Sequence, residues 1–195
     1  MNDYTQKYYE ANADSFIEHT LHCDMQSQYA LLEKHVRLGG KIMDIGFGSG
    51  RDLLYFQSKG FAVCGIDTSL SFCTHAKAKG LAVQQLSVLD LTQQDEVDAI
   101  WACASLLHLK SSDLGKALTH CYAILKSPGY MYVSFKYGDF EGERNGRYFT
   151  FMTEDSFKAY YEPAGFSLVE TSISRDVRSD RNDQWLNVVL KKDSF

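Results

Sequence analysis

Three glycines at alternate positions, directly after a short apolar stretch, constrain the fold of this chain more than any other feature. Residues 42–45 are apolar apart from Asp44, and a helical apolar pattern begins at Leu53. The glycines between them are Gly46, Gly48 and Gly50. This order predicts a strand, a tight turn and a helix, in which glycine lets the backbone lie close to a ligand and the helix offers free N–H groups. The turn is a candidate site for hydroxyl, carboxylate or phosphate groups, although a turn without a ligand also explains such glycines.

Short apolar runs alternate with helical patterns through the rest of the chain. The further predicted strands cover residues 62–67, 81–86, 97–103, 130–135, 166–174 and 185–191. The predicted helices after the turn cover residues 52–59, 69–79, 111–125 and 153–161. Such alternation predicts an α/β fold with a doubly wound, mostly parallel sheet of seven strands, covered by helices on both faces. The last two strands have no helix between them, which predicts an antiparallel C-terminal hairpin.

The segment before the glycine turn is rich in tyrosine and has helical rather than strand patterns. With 195 residues, the chain is long enough for one domain with a substantial core. We therefore predict a single domain over residues 1–195, with a helical lid at 1–38 and the core at 39–195. In one interpretation the lid's aromatic residues close over a ligand, and in the other its helices only cover an edge of the sheet.

Composition and charge argue against several classes of function. The net charge is −5 and no run of basic residues is visible, so no nucleic-acid partner is expected. No stretch approaches the roughly 20 apolar residues that span a bilayer, and the N-terminus lacks a signal pattern, so we expect a cytoplasmic protein with no membrane partner. The five cysteines are scattered without a C-x-x-C pair, which favours reduced, buried thiols, and no metal site is predicted.

Acidic residues follow the predicted strands at the end where doubly wound sheets bind ligands. Asp67 ends the second strand, 23 residues after Asp44, close to the spacing of about 20 between a glycine turn and a ribose-binding acid. Asp90 lies beyond the third strand, and residues 102–108 follow the fourth. We expect these segments to surround one ligand. For each aspartate alone, a helix or turn cap is the alternative.

The complete set resembles the motifs of class I S-adenosylmethionine-dependent methyltransferases. Asp44 and the glycines form D-x-G-x-G-S-G, and the later strand ends follow in the order of that family's motifs over residues 41–136. The predicted hairpin matches the family's added antiparallel seventh strand, which implies a Rossmann-like fold. Phe47 departs from the cysteine usual at its position and would narrow the methionine pocket. A NAD-dependent oxidoreductase is disfavoured, because Arg51 stands where the G-x-G-x-x-G fingerprint needs its third glycine.

The resemblance implies S-adenosyl-L-methionine as cofactor and S-adenosyl-L-homocysteine as product. It assigns the glycine turn to the amino-acid end of the cofactor, Asp67 to the ribose hydroxyls, and Asp90 with Val88 or Leu89 to the adenine. Asp44 would orient the turn or reach the ammonium group. The residues expected at the cofactor are Tyr8, Asp44, Gly46, Phe47, Gly48, Gly50, Arg51, Asp67, Thr68, Asp90, Leu91 and Ala104.

Methyl transfer requires alignment, a dry pocket and, for reluctant nucleophiles, a base. His108 is the candidate base, with a hydrogen-bonded packing role as the alternative. Tyr148 is a second catalytic candidate, because a tyrosine face suits a cationic sulfonium, and Tyr4, Tyr8 and Tyr9 are alternatives for that contact. Arg144 and Arg147 are candidates for binding an anionic substrate, although simple solvation also explains Arg144.

Several features bear on the methyl acceptor. The end of the fourth strand lacks the Asn/Asp-Pro-Pro-Tyr/Phe group of the resembling amino-methylating enzymes, which argues for a small-molecule acceptor over DNA or protein. The polar segment 175–183, in which arginines alternate with aspartates, is predicted to be a solvated loop. A non-catalytic protein of the same fold that binds S-adenosylmethionine or another nucleotide remains the alternative function. The sequence is compatible with a monomer or a homodimer.

Overall fold

The structure is a computed structural model, and it describes residues 3–178 and 181–193. Its strands are β1 (Lys41–Ile45), β2 (Ala62–Asp67), β3 (Val83–Gln85), β4 (Val97–Ala102), β5 (Leu125–Lys136), β6 (Glu141–Arg144), β7 (Arg147–Thr150), β8 (Ser167–Arg175) and β9 (Gln184–Lys192). Within the described residues, seven strands form one sheet in the order β3-β2-β1-β4-β5-β9-β8. Strands β1 to β5 pair in parallel, and β9 is antiparallel to both β5 and β8. The predicted Rossmann-like sheet with its antiparallel C-terminal hairpin is confirmed.

Helices precede the sheet and connect its strands. They are α1 (Asp3–Ala11), α2 (Ala13–Thr20), α3 (Gln26–Glu33), α4 (Arg51–Ser58), α5 (Leu70–Ala78), α6 (Ser111–Ile124) and α7 (Glu154–Tyr161). Thr153 and Ser156 form the reciprocal capping box that starts α7. Ser69 caps α5, since its Oγ accepts a hydrogen bond from the Phe72 N–H at 3.2 Å. None of the helices in the described part of the chain is long and apolar enough to cross a lipid bilayer.

The hairpin of β6 and β7 stands apart from the main sheet, and the periodicity of the sequence did not predict it. Its turn is Asn145-Gly146, and both residues have positive φ angles of +53° and +74°. Asn-Gly is the sequence that two-residue hairpin turns favour, because both positions require positive φ. The Tyr148 N–H donates to the Thr5 Oγ1 at 2.8 Å, so β7 lies against α1. The hairpin thereby brings a second chain segment to the N-terminal helices.

Apolar side chains cover both faces of the sheet. On one face, the rings of Trp101 and Tyr132 stack with centroids 4.0 Å apart, beside Phe56 of α4. On the other face, α6 and α7 bury residues such as Leu118 and Phe157. Full burial of one such side chain contributes roughly 1.5–3 kcal/mol. The core therefore holds the parallel strand ends, and the turns that follow them, in fixed positions.

A buried carboxylate ties the glycine turn to this core. Asp52, in the first turn of α4, accepts hydrogen bonds from the Tyr29 hydroxyl at 2.5 Å and the Trp101 Nε1 at 2.8 Å. The Arg51 guanidinium donates to both of its oxygens, at 2.6 and 3.0 Å. Burial opposes ionisation of Asp52, but Arg51 and the other donors outweigh it and lower the pKa of this carboxyl. Asp52 thus joins α3, α4 and β4 directly beside the turn.

We predict that Tyr29→Phe lowers the free energy of unfolding by about 1–3 kcal/mol, because a buried charged acceptor loses a donor. The matched control is Tyr55→Phe. The Tyr55 ring stacks on Tyr29 at 3.7 Å, but its hydroxyl lies near the surface, 3.4 Å from Gln26 Oε1. Its loss should change stability by less than about 0.5 kcal/mol. Chemical denaturation measures both variants, and equal losses would contradict the role given to Asp52.

Candidate active site

A cavity of about 240 Å³ lies at the carboxyl ends of the parallel strands. It is lined by the glycine turn, by the ends of β2, β4 and β5, by α1 and α2, and by the segment between β8 and β9. Doubly wound sheets bind their ligands at this position. The cavity is therefore the candidate active site.

The glycine turn requires glycine for its backbone geometry and for close packing. The φ angle is +73° at Gly46 and +52° at Gly48, a region that residues with a side chain rarely adopt. A Cβ atom on Gly46 would lie 2.4 Å from the Cβ of Ser105, and one on Gly48 would lie 3.0 Å from the Phe16 ring. Ser105 and Phe16 therefore pack directly on the turn, and α2 covers it.

Asp67 ties the turn to the end of β2 and faces the cavity. One of its oxygens accepts from the Gly48 N–H at 3.0 Å, and the other accepts from the Ser69 N–H at 2.9 Å. Burial raises the pKa of Asp67 to about 6, although these backbone donors oppose the shift. A carboxylate offers about four acceptor positions, so the oxygens of Asp67 can also accept from ligand hydroxyls.

The structure brings some of the predicted site residues to the cavity and leaves others outside it. Predicted residues that line the cavity are Gly46, Phe47, Gly48, Arg51, Asp67, Thr68, Ala104, His108 and Arg147. Predicted residues outside the lining are Tyr8, Asp44, Gly50, Asp90, Leu91, Arg144 and Tyr148. The first group belongs mainly to the ends of β1, β2 and β4, as a parallel sheet requires.

At the end of β3 a 3-10 turn changes which side chain faces the cavity. Val88–Asp90 form this turn, which exposes Asp90 to solvent and buries Leu91 in the core. The cavity wall is formed instead by Leu86, Ser87 and Val88. Ser87 therefore stands in the lining where the sequence prediction placed Asp90.

Asp44, before the turn, and Gly50, at its end, both lie outside the cavity lining. The Asp44 side chain is buried, and its Oδ2 has no hydrogen-bond partner among the described residues. Burial, and then the nearby Asp52 charge, raise the pKa of Asp44 well above its usual range. This shift favours the neutral form of Asp44, whose side chain lies in the core beneath the turn. A Cβ on Gly50 would meet Leu81 at 3.3 Å, so this glycine packs against the chain that follows α5.

His108 is fixed by hydrogen bonds on both ring nitrogens. Its Nδ1 lies 2.7 Å from the Tyr148 carbonyl oxygen, which only accepts, so Nδ1 carries the proton. Its Nε2, 2.9 Å from the Tyr9 hydroxyl, therefore accepts from that phenol. Burial, with a smaller contribution from the nearby Arg147 and Lys136 charges, lowers the pKa of His108 to about 4, although the hydrogen bond to the Tyr148 carbonyl opposes the shift. His108 is a neutral, weakly basic imidazole that connects α1, β7 and the end of β4.

The remaining predicted residues on the hairpin divide between the surface and the cavity. Arg144 is exposed, and the Tyr148 hydroxyl donates to Glu141 at 2.7 Å, so both side chains lie outside the lining. Arg147 lines the cavity, with its guanidinium carbon 4.7 Å from the centroid of the Tyr8 ring. Tyr8 therefore supports Arg147, and its neighbour Tyr9 lines the cavity in its place.

A group of polar and aromatic residues at the far end of the cavity was not predicted from the sequence. These residues are Ser134, Lys136, Arg175, Asp176, Arg178, Arg181, Trp185 and Asn187. One sequence feature could have indicated Lys136 as a site residue, since it is a charged residue at the end of an apolar strand. No sequence feature indicated the arginines as site residues, because the alternation of arginine with aspartate in segment 175–183 predicted a solvated loop. The structure places three of them in the cavity wall instead.

A family comparison agrees with this geometry. Residues 42–129 match the family model of a methyltransferase domain. Over this segment, which is somewhat less than half of its 195 residues, the chain is similar to methyltransferases. The matched segment contains the glycine turn, Asp67 and His108, so the resemblance found in the sequence is confirmed. A search of curated protein sequences gives no significant match.

Solved structures share the fold at low sequence identity. Burkholderia thailandensis 1,6-didemethyltoxoflavin-N1-methyltransferase, with bound 1,6-didemethyltoxoflavin and S-adenosylhomocysteine, has a TM-score of 0.81 at 20% identity, covering 97% of this chain and 87% of that one. A methyltransferase in complex with the Haloferax volcanii Trm112 methyltransferase activator has a TM-score of 0.79 at 18% identity, over 98% of both chains. The [4+2]-cyclase SpnF has a TM-score of 0.76 at 14% identity, over 97% of this chain and 95% of its own. At these identities the likeness establishes the fold.

The buried, neutral state of His108 makes the stability of the protein depend on pH. The pKa of His108 is about 4 in the folded protein and about 6.5 when unfolded, so the unfolded chain binds more protons between these values. Stability from this residue is complete above about pH 6.5 and is lost as the pH falls. At about pH 4.5 the expected loss is roughly 2–3 kcal/mol relative to neutral pH.

The measurement is the free energy of unfolding of the wild type and of His108→Gln, near pH 7 and near pH 4.5. Asp67 and the other titrating groups are common to both proteins, so the difference between the two pH profiles isolates the imidazole. Parallel profiles would show that His108 is not held neutral by burial.

Proposed function

We propose that the protein transfers a methyl group from S-adenosylmethionine to a small-molecule acceptor. The observation that carries the proposal is one continuous cavity, with the glycine turn and Asp67 at one end and a separate polar and aromatic wall at the other. The first end suits a cofactor and the second leaves room for an acceptor. The methyltransferase-domain match supports the reaction type.

The residues at the glycine-turn end fit the cofactor. The Asp67 carboxylate at the end of β2 can accept from both hydroxyls of a ribose, and charge-assisted hydrogen bonds of this kind are about twice as strong as neutral ones. Ser87 and Val88 form the wall beside it, where the adenine would lie. The N–H groups at the start of α4 have no partners within the helix and suit the amino-acid end.

An aromatic cluster lies between the two ends of the cavity. The rings of Tyr9, Phe16 and Phe72 have centroids 5.3 to 5.9 Å apart, and all three residues line the cavity. When bound, S-adenosylmethionine supplies an electrophilic methyl group on a sulfonium. Aromatic faces attract such a cation, and the apolar rings keep water from the reacting atoms. Alignment and a dry environment are then the main contributions of the protein.

The neutral state of His108 limits the chemistry that the site can assist. An imidazole with a pKa of about 4, whose Nε2 already accepts from Tyr9, is a weak general base at neutral pH. Burial also raises the pKa of Tyr9, so the phenol stays protonated. We therefore assign the pair a positioning role, in which it holds α1 against the core. The acceptor atom would then be nucleophilic without help from this pair.

The N-terminal helices support the division into a lid at residues 1–38 and a core at 39–195. Tyr9 of α1 and Phe16 and Thr20 of α2 line the cavity, so this segment covers the glycine turn. An enclosed site of this kind suits a small acceptor better than a macromolecular surface. The Burkholderia methyltransferase, whose structure contains both a small molecule and S-adenosylhomocysteine, supports this choice.

A non-catalytic protein that binds S-adenosylmethionine or another nucleotide is the second candidate function. The weak basicity of His108 favours it, and the [4+2]-cyclase SpnF shows that the fold also occurs in proteins named for another reaction. Formation of S-adenosylhomocysteine with any acceptor would reject this candidate.

We predict that Asp67→Ala weakens the binding of S-adenosylhomocysteine by about 1–3 kcal/mol, because charge-assisted hydrogen bonds to the ribose are lost. The comparison variant is Asp90→Ala, which removes an exposed carboxylate outside the cavity lining and should leave the affinity unchanged. Calorimetric titration measures both, with NADH as the control ligand.

The two variants separate the possible assignments. An unchanged affinity in folded Asp67→Ala would refute the ribose role, and a loss in Asp90→Ala would return the adenine contact to that residue. A wild-type protein that binds neither S-adenosylmethionine nor S-adenosylhomocysteine would reject the proposed function itself.

A further inference from the structure

The two ends of the cavity differ in charge. Near the glycine turn, the Arg51 charge is balanced by Asp52, and Asp67 is a further carboxylate. Among the described residues at the far end, one carboxylate, Asp176, lines the wall. The cations that line the far end are Lys136, Arg147, Arg175, Arg178 and Arg181. The far end is thus positive in a protein whose net charge is −5, and a cleft lined by one sign of charge concentrates ligands of the opposite sign.

Arg147 is a cation of this group with a buried donor that the described residues leave unused. Its Nε is buried and makes no hydrogen bond, and no carboxylate among the described residues lies within salt-bridge distance of it. A buried charged donor without an acceptor costs free energy, and arginine does not lose its proton to avoid that cost. The guanidinium therefore has an unused donor at the wall of the cavity.

The surroundings of Arg147 fix its orientation. Its guanidinium carbon lies 4.7 Å from the centroid of the Tyr8 ring and 5.1 Å from that of Phe149. These rings attract the cation, and the N–H donors of a guanidinium lie in its plane. Nε–H together with a terminal N–H is the pair that binds a carboxylate or phosphate with two parallel hydrogen bonds.

Lys136 differs from Arg147 although the two share a ring. The Lys136 Nζ lies 5.2 Å from the Phe149 centroid, but it donates to Asp183 at 2.5 Å, so its charge is already paired. Phe149 and Trp185 line the cavity beside these cations and offer apolar faces. The far end therefore combines aromatic walls with a guanidinium that has no carboxylate partner among the described residues.

We infer that the acceptor is an anionic small molecule, whose carboxylate or phosphate binds the guanidinium of Arg147 and whose apolar body packs against Phe149 and Trp185. This inference rests on the proposed function, since it names the substrate class of the same site. The inference is also compatible with the weak basicity of the Tyr9 and His108 pair. An anion binds to the guanidinium through its charge, and this binding requires no proton transfer to the pair.

The test uses the full-length protein saturated with S-adenosylhomocysteine. Three probes are titrated: benzoate, phenyl phosphate, and benzamide, which has the shape of benzoate without its charge. The variants are Arg147→Gln and the matched control Arg144→Gln, which removes the same charge from the exposed position opposite Arg147 in the hairpin. Affinities for the probes and for S-adenosylhomocysteine are measured by calorimetry.

We expect at least one anion to bind the wild type ten times or more tighter than benzamide. Arg147→Gln should abolish this preference, and Arg144→Gln should retain it. Equal binding of the anions and benzamide, failure of both anions to bind, or a preference that survives in Arg147→Gln would overturn the inference.

The cofactor carries a carboxylate of its own, and the experiment separates that source from the acceptor. If Arg147 holds the acceptor, Arg147→Gln binds S-adenosylhomocysteine as the wild type does. A tenfold or greater loss would assign the guanidinium to the cofactor's carboxylate and reject the inference. A wild-type protein that does not bind S-adenosylhomocysteine at all is a different result, since it rejects the proposed function.

Discussion

The buried Asp52 carboxylate is the interaction on which the rest of the site depends. It accepts from Tyr29 of α3, from Trp101 of β4 and from Arg51 beside it at the start of α4. Because α4 begins directly after the glycine turn, these hydrogen bonds also fix where the turn ends and where the helix N-terminus points. A buried charge with several donors is stable as a complete set, and removing one partner leaves the full desolvation cost of the carboxylate in place. The cavity wall is consequently held in place by hydrogen bonds to the stacked aromatic core.

Around this charged carboxylate, burial shifts two other ionisable groups of the site toward their neutral forms. Asp44 and His108 are both shifted by burial toward their uncharged forms, in opposite directions of pKa as their chemistry requires. The pKa of Asp67 is also raised by burial, but backbone N–H groups donate to this carboxylate and oppose the shift. Asp44 and His108 can reduce the cost of burial by becoming neutral. Arg147 cannot, because its guanidinium keeps its proton. That difference makes the guanidinium the clearest electrostatic signal in the far half of the cavity.

The sequence predicted those parts of the structure that follow from local chemistry. Residue types indicate where strands end and where the chain turns. They were sufficient to predict the glycine turn, Asp67 at the end of β2 and the antiparallel last strands. The position of Asp90 could not be predicted. A 3-10 turn of three residues points its side chain to solvent, and Ser87 lines the cavity instead. Tyr8 and Tyr9 are adjacent on a helix and point about 100° apart, so periodicity alone could not choose between them. The arginines between β8 and β9 depend on tertiary folding, which alternating charges do not reveal.

The covering of the glycine turn has a kinetic consequence. Phe16 packs on Gly48, and Tyr9 is hydrogen bonded to His108, so α1 and α2 stand between the turn and solvent. A ligand that enters on this side of the cavity passes these two helices on its way to the turn. A helix motion would then control the exchange of one bound molecule for the next, as in enzymes whose product release limits turnover. Residence time in this site would depend on residues 3–20, which lie outside the sheet that builds the site.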